Sequence, residues 1–288
     1  MDGIVLINKE KGISSFGVVS KIRKIFSIKK VGHCGTLDPD ATGVLPIMIG
    51  NATKISKYLV EHDKEYVAVL KIGIKTDSAD EEGNIIEEDN FQLKKESEKE
   101  YKVLIESMIG KHKQIPPMYS AIKVNGKKLY EYARAGQEVE RAEREIEIYN
   151  ISVENIDFEN NEIKFRVACS KGTYIRTLCE TIAEMLGTIG YMKELQRTKV
   201  DKFLIKDSVT LSELEQSDDK SKYVISIEKI FEEKERINLS PRKTELFLNG
   251  VQLTNAFNDG VYRVYTNDKF LGLGTIKNGL LKRDIIIE

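Results

Sequence analysis

The 288-residue sequence predicts an α+β fold, in which a mixed, largely antiparallel central sheet flanked by helices precedes a small β domain. Three patterns indicate this. Residues 65–74 alternate apolar and polar side chains, as a strand with one buried face does. Residues 14–26 repeat apolar side chains at helical spacing. From about residue 237, short apolar runs are separated by closely spaced turn signals, which is typical of a small all-β unit.

The N-terminal part of the chain is predicted to alternate strands and helices. An apolar run over residues 4–7 indicates a buried strand, and Ser14 and Ser15 offer an N-cap for the helix through about residue 26. The elements expected next are a strand over 44–49, a helix over 52–60, the strand over 65–74, a polar loop over 76–83 and a helix over 95–109.

The middle of the chain contains a polar, basic insertion between residues 118 and 146. Pro116 and Pro117 exclude a helix or a central strand just before it. Within it, Asn125 and Gly126 signal a hairpin turn. The elements expected after it are strands over 144–158 and 162–168, a helix over 173–186 closed by Gly187, and a strand over 191–199. We therefore divide the chain into a domain at 1–232 and a second at 233–288.

Charge is balanced over the whole chain but not locally. Lys and Arg number 45 against 46 Asp and Glu, so net charge argues neither for nor against a nucleic-acid partner. A basic cluster precedes His33 and consists of Lys9, Lys11, Lys21, Arg23, Lys24, Lys29 and Lys30. The acidic stretch over residues 77–100 is expected to be a solvated surface that faces away from RNA.

Cysteine and histidine usage indicates the compartment. The three cysteines, at 34, 169 and 179, are odd in number and form no CxxC pair, which predicts a reduced, intracellular protein. The three histidines lack metal-ligand spacing. No apolar stretch is long enough to span a membrane. We expect a cytoplasmic protein that binds no membrane.

The stretch over residues 31–50 presents one carboxylate, Asp38, between Leu37 and Pro39. A residue before proline is driven into extended conformations, and four glycines flank this one. The arrangement suits a catalytic carboxylate held on a stiff loop. It also suits an ordinary surface turn, since Asp-Pro and Thr-Gly are common turn signals. The residues alone leave both interpretations open.

The pattern Gly-His-x-Gly-x-Leu-Asp-Pro-x-Ala-Thr-Gly-x-Leu-Pro, from Gly32 to Pro46, resembles the catalytic motif of the TruB-type tRNA pseudouridine-55 synthases. The resemblance implies the pseudouridine synthase fold and makes Asp38 the nucleophile. Residues 169–176, Cys-Ser-Lys-Gly-Thr-Tyr-Ile-Arg, resemble a second motif of that family. Its arginine, here Arg176, pairs with the nucleophile. Without this match, an ordinary structural salt bridge would explain Arg176 equally well.

The resemblance also assigns substrate contacts. In the segment 63–66 it makes Tyr66 the platform that stacks on the target uracil, and its phenol a candidate for removing the C5 proton. Leu195 would pack against that ring, Tyr174 would contact the substrate, and His33 would lie against the RNA. By periodicity alone, Tyr66 and Leu195 are core residues, and an isolated loop histidine such as His33 is usually solvated or structural.

Converting uridine to pseudouridine rearranges one nucleoside, so no cofactor and no metal are expected. The resemblance implies tRNA as partner, bound through its T-arm by a thumb at residues 118–146 and a PUA-like RNA-binding domain at 233–288. We expect a monomer with no obligate protein partner. The sequence leaves open whether Asp38 attacks C6 of the ring or C1′ of the sugar.

Two other functions are alternatives for this sequence. An RNA-binding folding factor that flips and refolds the T-arm would have no use for Asp38, Tyr66 and Arg176 together. A glycoside hydrolase would need a second acid, which no motif supplies. The chain departs from the family at Lys9-Glu10-Lys11-Gly12, where Lys-Pro-x-Gly is usual. The lost proline affects the rigidity of that loop and removes no proposed catalytic group.

Overall fold

The computed structural model describes residues 1–59 and 62–287 of the chain. The strands up to residue 232 are β1 (Gly3–Lys9), β2 (Val31–His33), β3 (Thr42–Ile49), β4 (Lys64–Ile72), β5 (Ile74–Thr76), β6 (Ile85–Glu88), β7 (Gly110–Gln114), β8 (Lys123–Val124), β9 (Lys127–Lys128), β10 (Arg144–Asp157), β11 (Glu162–Cys169), β12 (Gly190–Val200), β13 (Phe203–Leu204) and β14 (Val224–Ser226). Those that follow are β15 (Arg236–Asn238), β16 (Leu253–Thr254), β17 (Gly260–Thr266), β18 (Lys269–Lys277) and β19 (Leu280–Ile286).

Seven α-helices lie within these described residues. They are α1 (Ser15–Phe26), α2 (Glu98–Glu106), α3 (Leu129–Arg134), α4 (Ile175–Met185), α5 (Leu211–Gln216), α6 (Ile227–Ile230) and α7 (Pro241–Leu248). Four 3-10 helices cover Gly50–Tyr58, Lys95–Ser97, Ile205–Asp207 and Lys220–Tyr223. In the part of the chain that the structure describes, none of the helices is both long enough and apolar enough to cross a bilayer.

A ten-stranded sheet forms the centre of the molecule. Its main path runs in the order β14, β1, β3, β12, β4, β11, β10, β7, with β2 paired to β3 and β13 paired to β12. Every pair is antiparallel except β3 and β12, which run parallel. The expected mixed, largely antiparallel sheet is therefore confirmed.

The parallel junction depends on a glycine. Gly43 has φ +107°, and a Cβ there would lie 2.2 Å from the carbonyl oxygen of Arg197. No side chain fits in that space, so only glycine lets β3 approach β12 this closely. The junction brings the start of β3, just after the Asp38 loop, beside Arg197 on β12.

Both faces of the central sheet are covered. On β1, Val5 and Ile7 join the apolar cluster that includes α1 and α4, while Ile4 and Leu6 join a second cluster on the other face. The second cluster includes Ile55 of the 3-10 helix Gly50–Tyr58, together with Leu273 and Ile285 of the C-terminal strands. Burial on both faces explains why β1 and β3 are continuously apolar.

The C-terminal strands form a five-stranded sheet in the order β15, β17, β18, β19, β16. Turns predicted from the sequence connect them: Asn267, Asp268 and Asn278 all have positive φ values. Helix α7 lies between β15 and β16, so the unit is not purely β as expected. Ser240 before Pro241 is a helix-start signal, and the dense turn signals around it obscured this in the sequence.

Most predicted elements are present with shifted ends. Helix α1 begins at the predicted cap, where the Ser14 hydroxyl accepts a hydrogen bond from the Gly17 amide at 3.0 Å. The helix expected over 52–60 is instead the 3-10 helix Gly50–Tyr58, and its predicted end at Val60 lies outside the described residues. Helix α2 ends earlier than expected, at Glu106. The hairpin at Asn125 and Gly126 is confirmed, with φ values of 50° and 83°.

Candidate active site

An open cavity of about 600 Å³ lies where several elements meet: the Asp38 loop, β4, β12, the loop after β5, the root of segment 118–146 and the start of α4. Of the residues singled out in the sequence, five line this cavity: Asp38, Tyr66, Tyr174, Arg176 and Leu195. The structure therefore brings together side chains that are up to 157 positions apart, between 38 and 195.

Residues 9–15 fix the two residues that flank Asp38, Leu37 and Pro39. The Ser15 hydroxyl donates to the Leu37 carbonyl at 3.0 Å and accepts from the Leu37 amide at 2.9 Å. On the other side, the Pro39 carbonyl accepts hydrogen bonds from the Gly12 amide at 3.0 Å and from the Lys9 ammonium at 2.7 Å. The backbone of Asp38 is thus held between two fixed residues. Its carboxylate is 41% exposed and faces the cavity.

Arg176 connects that carboxylate to a second one. Its Nη2 lies 3.4 Å from Oδ2 of Asp38, and its Nη1 lies 3.2 Å from Oδ2 of Asp80. Nη2 also donates to the Tyr119 carbonyl at 2.7 Å. Nη1 also donates to the Ser78 carbonyl at 3.4 Å. The guanidinium, only 5% exposed, is thus shared between two carboxylates and two carbonyls.

Asp80 is a site residue that the sequence analysis missed. It belongs to the acidic stretch that was expected to face away from RNA, and that expectation is wrong for its first part, because Asp77, Asp80 and Glu82 all line the cavity. Burial raises the pKa of Asp80, and the nearby Arg176 charge opposes this. The turn formed by Ala79, with φ 59°, directs Asp80 inward. Sequence alone could not separate this turn from the solvated stretch after it.

Tyr66 is almost fully buried at the cavity wall. Burial raises the pKa of Tyr66 to about 12, and the nearby Arg197 guanidinium opposes this shift. The phenol is therefore neutral near pH 7. Leu195 is partly buried on the adjacent strand β12, where its register partner is Ala68 of β4. A flat ring and an apolar side chain thus border the same end of the cavity as Asp38.

Two buried cations support this wall, and neither was recognised as a site residue in the sequence. Arg197 has no exposed surface and donates to the carbonyls of Val44 at 2.9 Å, Gly35 at 3.2 Å and Thr36 at 3.4 Å. Burial lowers its pKa. Arg197 thereby fixes the backbone just before Asp38.

Lys9 holds the other side of the loop. Lys9 belongs to the basic cluster identified before His33, but it has no exposed surface and is not available to a partner. Besides Pro39, its ammonium donates to the carbonyls of Ile13 at 2.8 Å and Glu10 at 3.0 Å. Burial lowers the pKa of Lys9 to about 8, while the nearby Asp38 charge opposes that shift.

Tyr174 lines the cavity just before α4, and its backbone is paired with a side-chain amide. Gln114, the last residue of β7, donates to the Tyr174 carbonyl at 3.0 Å and accepts from the Tyr174 amide at 2.8 Å. Gln114 is 7% exposed. This two-bond contact joins the root of segment 118–146 to the turn that presents Arg176.

His33 is not among the residues that line the cavity. It ends β2 and pairs with Ile47 of β3. Its Nδ1 is buried and has no hydrogen-bond partner within residues 1–59 and 62–287. Burial, with a smaller effect of the Arg197 charge, lowers the pKa of His33, so its imidazole is neutral near pH 7.

Segment 118–146 carries aromatic rings covered by cations. The Lys128 ammonium and the Arg134 guanidinium lie 5.3 and 5.5 Å from the ring centre of Tyr130. Tyr130 and Arg134 also line the cavity. Stacked rings beside cations are a common arrangement for binding unstacked bases and phosphates.

Comparison with known proteins identifies the family. The chain matches the TruB family pseudouridylate synthase N-terminal domain over residues 23–175, the tRNA pseudouridylate synthase B C-terminal domain over 176–231, and the pseudouridine synthase II TruB C-terminal model over 236–283. It is 44% identical to a protein of Clostridium kluyveri named tRNA pseudouridine synthase B, with 96% of each chain covered. A protein of the same name from Clostridium tetani is also 44% identical, over 95% of each.

Solved structures support the fold. A chain of a Cbf5-Nop10-Gar1 complex superposes with a TM-score of 0.70 at 24% identity, covering 98% of this chain and 83% of that one. A chain from an H/ACA RNP bound to a substrate RNA superposes with a TM-score of 0.72 at 22% identity, covering 99% and 85%. The predicted fold class, a pseudouridine synthase fold with a PUA-like C-terminal sheet, is confirmed. The chain belongs to the TruB family of pseudouridylate synthases.

Proposed function

We propose that this protein isomerises a uridine to pseudouridine in the T-loop of tRNA, at position 55, with Asp38 as the nucleophile. The observation that carries the proposal is the contact of the Asp38 carboxylate with Arg176 at the wall of a cavity that Tyr66 also lines. The curated relatives described above are named for this reaction. The domain at 1–232 performs it.

Asp38 attacks the nucleoside at C6 or C1′ and forms a covalent intermediate. The N1–C1′ bond breaks, the C5–C1′ bond forms, and the bond to Asp38 breaks, which regenerates its carboxylate. C5 loses a proton while N1 gains one. Atoms and electrons balance within one nucleoside and water. Arg176 stabilises the ionised form of Asp38 before attack, and the contact can loosen as the charge is consumed. Asp80 keeps the guanidinium in place from the other side.

Tyr66 and Leu195 hold the base. Stacking on an aromatic ring is worth roughly 1–3 kcal/mol, which offsets much of the few kcal/mol needed to unstack and flip a nucleotide. The neutral Tyr66 phenol suits this platform role better than proton abstraction, since its raised pKa disfavours the phenolate. Tyr174 contacts the substrate from the start of α4. His33 lies against the RNA outside the cavity.

The RNA partner is the T-arm of tRNA. The thumb at residues 118–146, with its stacked Tyr130, Lys128 and Arg134, closes over it, and the PUA-like domain at 233–288 extends the contact. The protein works as a monomer without an obligate protein partner. Its three cysteines are buried and unpaired, which fits the reducing cytoplasm.

The test is to map pseudouridine in a tRNA transcript incubated with the pure protein, and to compare Asp38→Asn with the wild type. We expect release of tritium from 5-³H-uridine tRNA by the wild type and none by Asp38→Asn, with RNA binding retained. Asp40→Asn, on the same loop, is the matched control and keeps activity. Turnover by Asp38→Asn would contradict the mechanism. Binding without turnover by the wild type would favour an RNA-folding role instead.

A further inference from the structure

Lys64 is a cavity residue that the proposed chemistry does not use. It begins β4, two residues before Tyr66, and both side chains line the cavity. Side chains two apart on a strand point to the same face and are separated by about 7 Å. Lys64 therefore lies along the same wall as the ring of Tyr66. Its Cε also lies close to the Asp38 loop, 3.8 Å from where a Cβ would stand on Gly35.

The ammonium of Lys64 is a half-buried cation. Its hydrogen bond goes to the main-chain carbonyl of His62. Within residues 1–59 and 62–287, no carboxylate lies at ion-pair distance from it. Burial and the positive charge of Arg197 both lower the pKa of Lys64. A desolvated charge of this kind is unfavourable in the free protein unless an anion from outside completes its surroundings.

The charges of the cavity are divided between two regions. Asp38 and Asp80 both contact Arg176, and that region would repel a phosphate. Around Lys64, the nearby charges are mostly positive, since Arg197 and Lys171 both lower its pKa and Asp63 is the carboxylate that opposes them. The carbonyls of Gly35 and Thr36, which also line the cavity, already bond Arg197. An anion entering the cavity is therefore favoured beside Lys64. In a nucleotide whose base stacks on Tyr66, a flanking phosphate lies at a distance from the ring comparable to the spacing of these two side chains.

We propose that Lys64 binds a backbone phosphate flanking the nucleotide that enters the cavity, and so positions the uracil on Tyr66 beside Asp38. The inference rests on the proposed function, because it takes the ligand of the cavity to be a nucleotide of RNA. Lys64 is then a positioning residue that contacts the substrate. A phosphate at this point sets how deeply the base enters the site.

The first experiment measures binding of a T-arm hairpin over a series of salt concentrations, in the Asp38→Asn background so that no turnover occurs. Lys64→Met should weaken binding about tenfold and reduce the slope of log K against log salt by about 1, as loss of one phosphate contact does. Lys64→Arg should restore the slope. Lys99→Met, on the exposed surface of α2, is the matched control and should change neither quantity. An unchanged slope with Lys64→Met would overturn the proposal.

The second experiment neutralises the phosphates flanking the target uridine as methylphosphonates. The protein that retains Lys64 should bind this RNA about tenfold more weakly than the unmodified RNA. Lys64→Met should bind the two RNAs with nearly equal affinity, because the substitution and the methylphosphonates remove the same contact. If the losses of binding free energy from Lys64→Met and from the methylphosphonates were additive, the proposal would be overturned. Neither readout needs catalysis. If the wild type forms no pseudouridine, the proposed function fails by itself, and if it forms pseudouridine without this coupling, only the role of Lys64 fails.

Discussion

Asp38 is held from both sides by groups that do not touch its carboxylate. Ser15 and Lys9 bind the backbone of Leu37 and Pro39, and Arg197 binds the carbonyls of Gly35 and Thr36. Its backbone is therefore fixed while its side chain makes one contact of 3.4 Å with Arg176. A nucleophile needs this combination, because its carboxylate must leave one partner to form a covalent bond without moving the loop.

Substitution of Arg176 by Lys tests that single contact. The planar guanidinium reaches Asp38, Asp80 and the Tyr119 carbonyl at once, whereas an ammonium is one compact charge. We expect kcat for pseudouridine formation to fall by about two orders of magnitude, with RNA affinity changed much less. Arg166→Lys is the control, since Arg166 also bridges two carboxylates, Glu65 and Glu154, but lies 38% exposed outside the cavity. Equal losses in both variants would contradict a specific role for Arg176.

The buried cations Lys9 and Arg197 were not predictable from the sequence. Asp38, Tyr66 and Arg176 are predictable because their motifs resemble those of a family, whereas Lys9 and Arg197 were not predicted as site residues. Both donate hydrogen bonds to main-chain carbonyls, and the Val44 carbonyl is 153 positions from Arg197. Which carbonyls a fold leaves unpaired is a tertiary property. A sequence pattern of charged residues therefore favours the surface, where most lysines and arginines lie.

Helices and strands were predicted best where apolar residues repeat at a regular spacing in the sequence. The strand predicted over 65–74 appears as β4 with Tyr66, Ala68, Leu70 and Ile72 buried, because alternation specifies one buried face. The short helix after β3 was predicted with the wrong geometry. Over nine residues, apolar positions three apart, such as Ile55 and Tyr58, suit both α and 3-10 spacing, and only packing against the neighbouring strands decides between them. In segment 118–146, Asn125 and Gly126 predicted the hairpin, but helix α3 was not predicted.

The root of segment 118–146 is joined to the start of α4 at two points. Gln114 pairs with the backbone of Tyr174, and Arg176 donates to the Tyr119 carbonyl. A displacement of the segment would therefore act directly on the turn that carries Arg176. We expect Gln114 to be a positioning residue, since it is not among the residues that line the cavity.

Gln114→Glu tests the connection through its pH dependence. Above the pKa of the new carboxyl, the side chain still accepts from the Tyr174 amide, but its second oxygen faces the Tyr174 carbonyl and can no longer donate. We expect kcat relative to wild type to be lowered about tenfold at pH 8, and to recover as the pH falls and the carboxyl is protonated. Gln92→Glu, at an exposed position, should show a constant ratio. A constant ratio for Gln114→Glu would refute the positioning role.

The C-terminal sheet packs against one face of the central sheet. Leu273 and Ile285 of the C-terminal strands are buried in one cluster with Ile4 and Leu6 of β1. The Asp284 carboxylate accepts hydrogen bonds from the Tyr58 hydroxyl and the Lys57 ammonium, and Lys54 donates to the Ile286 carbonyl at 2.8 Å. The two sheets share buried surface, so we expect them to unfold in one cooperative transition.

Removal of the Asp284 carboxylate tests that expectation. Its side chain is only 14% exposed, and Asp284→Ala leaves the Tyr58 hydroxyl and the Lys57 ammonium without their acceptor at the junction between the sheets. We expect about 2–3 kcal/mol of lost stability, seen by calorimetry as a lower or split transition. Asp268→Ala is the matched control on the same sheet. Asp268 pairs with Arg236 at 91% exposure, where loss of an ion pair changes stability by less than about 1 kcal/mol. If both variants unfolded as the wild type does, the apolar contacts and the Lys54 hydrogen bond would suffice to join the C-terminal sheet to the central one, and the junction would not depend on Asp284.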